Sequence, residues 1–185
     1  LKMASTLRPF RDYEEKAVIN LYAVSGTSDL NRGHLMKIQG DGWVTTNELE
    51  MLGSVGKAYG NTVSERYGVA AKVTKAGAGD VPIGMTLMDV KEEDENGEKL
   101  KFNPRKAAEM GVVLSGQAVP IVSKGVFLYS GTALASEAPT AGQKLYCGAN
   151  GLITTGVGAN AQVGVALGVK DSDGCVLIRL ECGAH

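Results

Sequence analysis

Between Gly142 and Leu180 the chain alternates short apolar runs with turn residues, and this spacing restricts its fold more than any other feature. Gly142-Gln-Lys-Leu-Tyr146 and Leu152-Ile-Thr-Thr155 flank Ala149-Asn150-Gly151, and an Asn-Gly pair accepts the positive φ values that a tight hairpin turn demands. Residues 163–169 and 175–180 repeat the pattern around Lys170-Asp-Ser-Asp-Gly174, whose Asp-Gly end is a second hairpin signal. The segment predicts the closing sheet of a small barrel or sandwich.

Similar signals punctuate the rest of the chain. Val18-Ile-Asn-Leu-Tyr-Ala-Val24 is a strand-length apolar run. His34-Leu-Met-Lys-Ile38 and Trp43-Val-Thr-Thr46 flank Gln39-Gly-Asp-Gly42 and predict a third hairpin. Glycines interrupt residues 48–57, which read as a loop with at most one helical turn. Residues 66–73 and 81–90 predict strands on either side of a turn at 76–80, with Pro82 placing the second at an edge. Further strands are expected at 112–114, 118–122 and 126–129, and 131–142 reads as a small-residue loop containing Pro139. One short helix is expected, from Pro104 to Met110, with Asn103 as N-cap and Gly111 as C-cap.

The 185 residues fit one mainly β domain at 18–185, preceded by an extended N-terminal arm at 1–17. Aromatic residues make up 5% against 25 glycines, which favours short strands and tight turns over a helical bundle. A formal charge of −1 provides no global field for a polyphosphate backbone and disfavours nucleic acid as a partner. Three cysteines without CxxC spacing argue against a disulfide framework or a zinc knuckle. No apolar run approaches the ~20 residues that span a bilayer and no signal-peptide core is seen, so a soluble protein made in the cytoplasm and without a membrane partner is expected.

Candidate chemistry is sparse. Of the two histidines, His34 falls in a predicted strand and His185 at the last position, so a His-based triad or two-His metal site would have to recruit the latter. Gly53-Ser-Val-Gly-Lys57 departs from the Walker pattern, which needs Gly where Met51 stands and Ser or Thr where Ala58 stands. Gly156-Val-Gly-Ala-Asn-Ala161 loosely matches a dinucleotide loop, yet no helix is predicted after it to hold a pyrophosphate. Cys147 has no neighbouring histidine and reads as a buried thiol. The charged loop at 91–101 lacks the ligand alternation of an EF-hand and reads as a solvated tip. No enzymatic activity, cofactor or metal is expected. Arg8, Phe10, Arg11 and Tyr13 interleave guanidinium and aromatic groups without helical or strand period, which suits docking on protein or stacking on nucleic acid.

Arg66-Tyr-Gly-Val-Ala-Ala71, Gly116-Gln-Ala-Val-Pro-Ile-Val-Ser-Lys-Gly-Val126, Ala141-Gly-Gln-Lys-Leu-Tyr146, Gly151-Leu-Ile-Thr154, Val163-Gly-Val-Ala166 and Gly174-Cys-Val-Leu-Ile-Arg-Leu180 together resemble the head decoration, or capsid cement, proteins of tailed bacteriophages. The resemblance covers roughly the last two thirds of the chain. It implies a small β-barrel or β-tulip that sits on the outer surface of the virion and bridges neighbouring major capsid proteins, beside further copies of itself, often as a trimer. In that setting Arg8, Phe10, Arg11 and Tyr13 are expected to dock on an adjacent subunit; the competing arrangement is an arm that pairs back as an edge strand of its own barrel. A phage tail or baseplate module remains as an alternative, and a trimeric β-barrel enzyme of nucleotide metabolism as a less favoured one.

Overall fold

The computed structural model describes residues 7–9, 19–24, 30–43, 71–114 and 117–183. Within them the chain is mainly β, as the turn spacing predicts. In order, the strands are β1 (Leu7–Pro9), β2 (Ile19–Val24), β3 (Leu35–Trp43), β4 (Ala71–Lys75), β5 (Gly84–Thr86), β6 (Asp89–Val90) and β7 (Val112–Val113). They continue with β8 (Ala118–Val122), β9 (Lys124–Tyr129), β10 (Lys144–Cys147), β11 (Ile153–Thr154), β12 (Gln162–Ala166) and β13 (Val176–Glu181). Two short helices interrupt them, α1 (Pro104–Met110) and α2 (Thr132–Glu137).

Strands β2, β4, β3, β5 and β8 pair around a closed ring. The ring is fastened by five antiparallel pairs between β2 and β8, from Ile19↔Val122 to Ala23↔Ala118, and by a short parallel contact of β2 with β4. Closure leaves no unpaired edge. Six further strands form a sheet in the order β1-β9-β13-β12-β10-β11. Its centre is the antiparallel ladder from Val176↔Tyr129 to Glu181↔Lys124. The chain passes from ring to sheet at Ser123, whose carbonyl accepts a hydrogen bond from Cys182 N at 2.8 Å.

Side-chain alternation makes this junction a packed one. Successive residues on a strand point to opposite faces. Leu35 and Met36 on β3 therefore enter different cores, and so do Ile121 and Val122 on β8. Met36, Val73, Val119 and Ile121 belong to the core inside the ring. Leu35, Met85 and Val122 instead meet Phe127, Tyr129, Leu145, Ile153, Ile178 and Leu180 on the inner face of the six-stranded sheet. Strand β8 is thus covered on both faces, which explains its near-continuous apolar sequence. Gly151 seals the seam: it sits at φ +69°, and a Cβ there would lie 2.8 Å from the Leu35 carbonyl oxygen. Gly164 lets β12 approach β13, since its Cβ would fall 2.1 Å from the Arg179 carbonyl oxygen.

Several expectations need correction. The ring that closes is built from strands between Ile19 and Val122, and the hairpins of 142–180 form the open sheet beside it. Residues 39–42 do not turn a hairpin. They lie within the single strand β3, where more residues separate Ile38 from Trp43 than separate their partners Val73 and Ala71, so the extra length is taken up as an irregular bulge. The expected strand at 81–90 breaks into β5 and β6, with the Thr86 hydroxyl donating to the Met88 carbonyl at 2.9 Å across the bend. The expected loop at 131–142 contains α2, built from the good helix formers Ala, Leu and Glu, anchored by buried Leu134, and ended by Ala138 in the left-handed region before Pro139. The predicted loop at 48–57 and most of the predicted strand at 66–73 lie outside the described residues.

Three ionisable groups are buried in the core beneath the six-stranded sheet. Burial pushes the Cys147 thiol up to about 11 and the Cys182 thiol to about 12, from an ordinary 9. It raises Tyr129 from 10 to about 12, although its hydroxyl oxygen accepts a 3.1 Å hydrogen bond from Ile153 N. Tyr129→Phe would strand that buried N–H and should cost about 1 to 3 kcal/mol, lowering the melting temperature by several degrees for a chain of this size; an unchanged melt would contradict the assignment. All three folded-state pKa values are raised, so the stability they contribute is complete below pH 9 and lost as pH rises toward 12. Thiolate and phenolate absorbance should therefore emerge together with loss of the β-sheet circular dichroism in an alkaline titration. Ionisation of these groups well before unfolding would contradict their burial.

Candidate docking surfaces

Among the described residues, the chemistry-bearing side chains singled out in the sequence form no metal-binding cluster. His34 is buried just before β3, with Nδ1 2.6 Å from the Asn31 carbonyl oxygen, and burial holds its pKa below the usual imidazole value. Cys147 is buried beneath the sheet, and its raised pKa makes it a poor nucleophile at neutral pH. Gly156–Ala161 is a closed turn followed by β12: Asn160 Nδ2 donates to the Gly156 carbonyl at 3.0 Å, and Asn160 Oδ1 accepts from Gly79 N at 3.0 Å. Among the described residues no group of three or more His, Cys, Asp and Glu side chains could hold a metal ion, and no helix is long and apolar enough to cross a membrane. Residues 53–57 lie outside the described residues.

Of the four arm residues, Arg8 stands in β1, whose backbone pairs antiparallel with β9 in the register Leu7↔Tyr129, Arg8↔Leu128 and Pro9↔Phe127. Residues 7–9 are thereby an edge strand of the six-stranded sheet. Phe10, Arg11 and Tyr13 follow in the connection to β2 and lie outside the described residues.

A charged lobe spanning residues 91–111 is carried on the parallel pair of β6 and β7. It has a small core of its own, in which Leu100, Ala107 and Val112 pack with Met110 and Leu114. Its charges are largely paired within it. The Asp94 carboxylate accepts from Asn96 N at 2.8 Å and Glu98 N at 2.9 Å, and these backbone hydrogen bonds hold it below the usual carboxylate range. Glu93 pairs with Lys99, Glu95 with Lys106 at 3.0 Å, and Glu109 with Arg105 at 3.0 Å one helical turn apart. The hydrogen bond from Lys106 likewise lowers the Glu95 pKa. A shallow depression of about 120 Å³ lies between Glu92, Lys99, Lys101 and Leu114.

The outer corner of the lobe is formed where a 3-10 turn, Leu100–Phe102, meets α1. The Asn103 side chain caps α1 by accepting from Lys106 N at 3.1 Å, Pro104 occupies the first helical position, and Gly111 closes the far end at φ 63°, as the sequence predicts. The corner presents Phe102, 77% exposed, with Lys101 Nζ 4.8 Å from its ring centroid. Other exposed aliphatic side chains are Val81 and Val157, on two loops joined through Gly79 and Asn160, and Leu167 and Val169 in the connection from β12 to β13. The exposure of Phe102 was missed in the sequence. The available signal was its place directly before the N-cap, where an apolar residue commonly staples onto the fourth helical position, here the small Ala107.

No curated protein matches the chain. A protein-family model described as structural cement protein (E217 gp24/Pam3 gp6) matches residues 25–181, a span that takes in every strand from β3 to β13 together with the charged lobe. The chain belongs to the phage structural cement protein family.

Proposed function

We propose that this protein decorates the outer surface of an assembled phage head and stabilises the lattice of major capsid proteins by bridging neighbouring subunits. The family match over residues 25–181 carries this reading. The architecture supports it, because a closed ring packed on a second sheet is a rigid body suited to spanning a joint. A protein that binds only the assembled shell shifts assembly by mass action, by about 2.7 kcal/mol per site at a hundred times its dissociation constant. Contacts to two subunits at once raise the effective concentration of the second contact. No catalytic step, cofactor, metal or nucleic acid enters this role, and neighbouring copies, arranged as a trimer, would share a local symmetry axis. Synthesis in the host cytoplasm precedes attachment to the virion.

Arg8, Phe10, Arg11 and Tyr13 are one proposed contact with the adjacent subunit. Aromatic anchors and guanidinium groups dominate interface energetics when desolvated together. Because Arg8 falls in β1 against β9, removing the whole segment would also remove an edge strand, so point substitutions are the cleaner probe. Adding the purified protein to undecorated capsids should raise the temperature at which the shells come apart. The double variant Phe10→Ala and Tyr13→Ala should protect them less while melting like the parent protein in isolation. Shells that gain no stability from the parent protein would contradict the cement role, and full protection by the variant would remove the arm from the interface.

A further inference from the structure

We propose that the Lys101–Phe102 corner is a second docking anchor, whose ring enters an apolar pocket with a carboxylate at its rim on the major capsid protein; this rests on the capsid reading above. A phenyl ring that is 77% exposed on a folded surface forgoes burial that the same side chain could obtain elsewhere. Its neighbour Leu100, two residues earlier, is buried in the lobe. The local use for an apolar residue at this position, a staple onto the fourth residue of the helix, is not made: that residue is Ala107, itself buried in the core of the lobe.

The corner is also held in place. Phe102 N donates to the Lys99 carbonyl at 3.1 Å and Asn103 N to the Leu100 carbonyl at 2.9 Å, while the Asn103 side chain fixes the start of α1. An anchor ordered before binding loses little conformational freedom on docking, which is the condition under which one aromatic residue dominates an interface. Charge defines the partner further. Lys99, Arg105 and Lys106 are each engaged by a carboxylate of the lobe, whereas Lys101 lies over the ring and travels with it. Ring and ammonium enter together, so the complementary surface is an apolar pocket edged by an Asp or Glu.

Binding of purified protein to undecorated capsids, measured by co-sedimentation at several salt concentrations, tests the assignment. Phe102→Ala should weaken binding at least about tenfold, as expected for truncating an interface hot spot, while the melting temperature of the free protein stays that of the parent. Phe102→Tyr should bind nearly as the parent does. Lys101→Ala should bind less tightly and with a shallower salt dependence. Parent binding that persists undiminished in Phe102→Ala would overturn this inference alone. A smaller oligomer in Phe102→Ala together with undiminished capsid binding would assign the corner to self-association and likewise overturn it. If the parent protein itself fails to bind capsids, the capsid reading falls and the anchor with it.

Discussion

The arrangement depends on β8, together with Leu35 and Met36 at the start of β3, being buried on both faces. Neighbouring residues on these strands, Leu35 with Met36 and Ile121 with Val122, are divided between two cores that share a single layer of backbone. Such a layer has no face on which water can satisfy its peptide groups, so each must be paired within the protein. Closing β2, β4, β3, β5 and β8 into a ring meets that requirement, and setting the six-stranded sheet against the Leu35, Met85 and Val122 side completes the burial. The close backbone approach of Gly151 to Leu35 allows no intervening side chain and holds the sheet against the ring.

That rigidity is the physical basis for a structural role. The thiols of Cys147 and Cys182 and the hydroxyl of Tyr129 are held neutral in the core by desolvation. Charge is instead concentrated on the lobe at 91–111, where most of it is paired locally. Exposed pairs of this kind contribute little stability each, because water and salt screen them. Their larger effect is to fix the outline of the lobe around a small apolar centre, so that its corner is presented in one geometry.

Features encoded over a few residues were legible in the sequence. The hairpin of β10 and β11 turns where Asn150 adopts φ 56° and Gly151 φ 69°, and α1 begins and ends at the caps that Asn103 and Gly111 announce. Features that depend on distant partners were not. The antiparallel pairing of β2 with β8 and the parallel pairing of β2 with β4 join segments far apart in the chain, and neither strand carries a local mark of its neighbour. Turn residues at 39–42 were absorbed into a bulge because the flanking strand pairs on both sides, with β4 and β5. Small residues at 132–137 looked like a loop, yet Leu134 found a core and Glu137 accepts hydrogen bonds from the Thr154 hydroxyl and Thr155 N. The exposure of Phe102 had only one local mark, its place before the Asn103 cap with the small Ala107 at the fourth helical position, since an apolar residue otherwise reads the same whether it faces a core or solvent.

The central claim is that one rigid two-sheet body spans the joint between major capsid proteins on the outside of the head. A cryo-electron-microscopy reconstruction of purified capsids saturated with this protein examines it most directly. The account predicts additional density on the outer surface that contacts two neighbouring capsid subunits, into which ring and sheet fit together without change in their relative position. Density that contacts only a single subunit, lies on the inner surface, or can be fitted only by separating the ring from the sheet would contradict it.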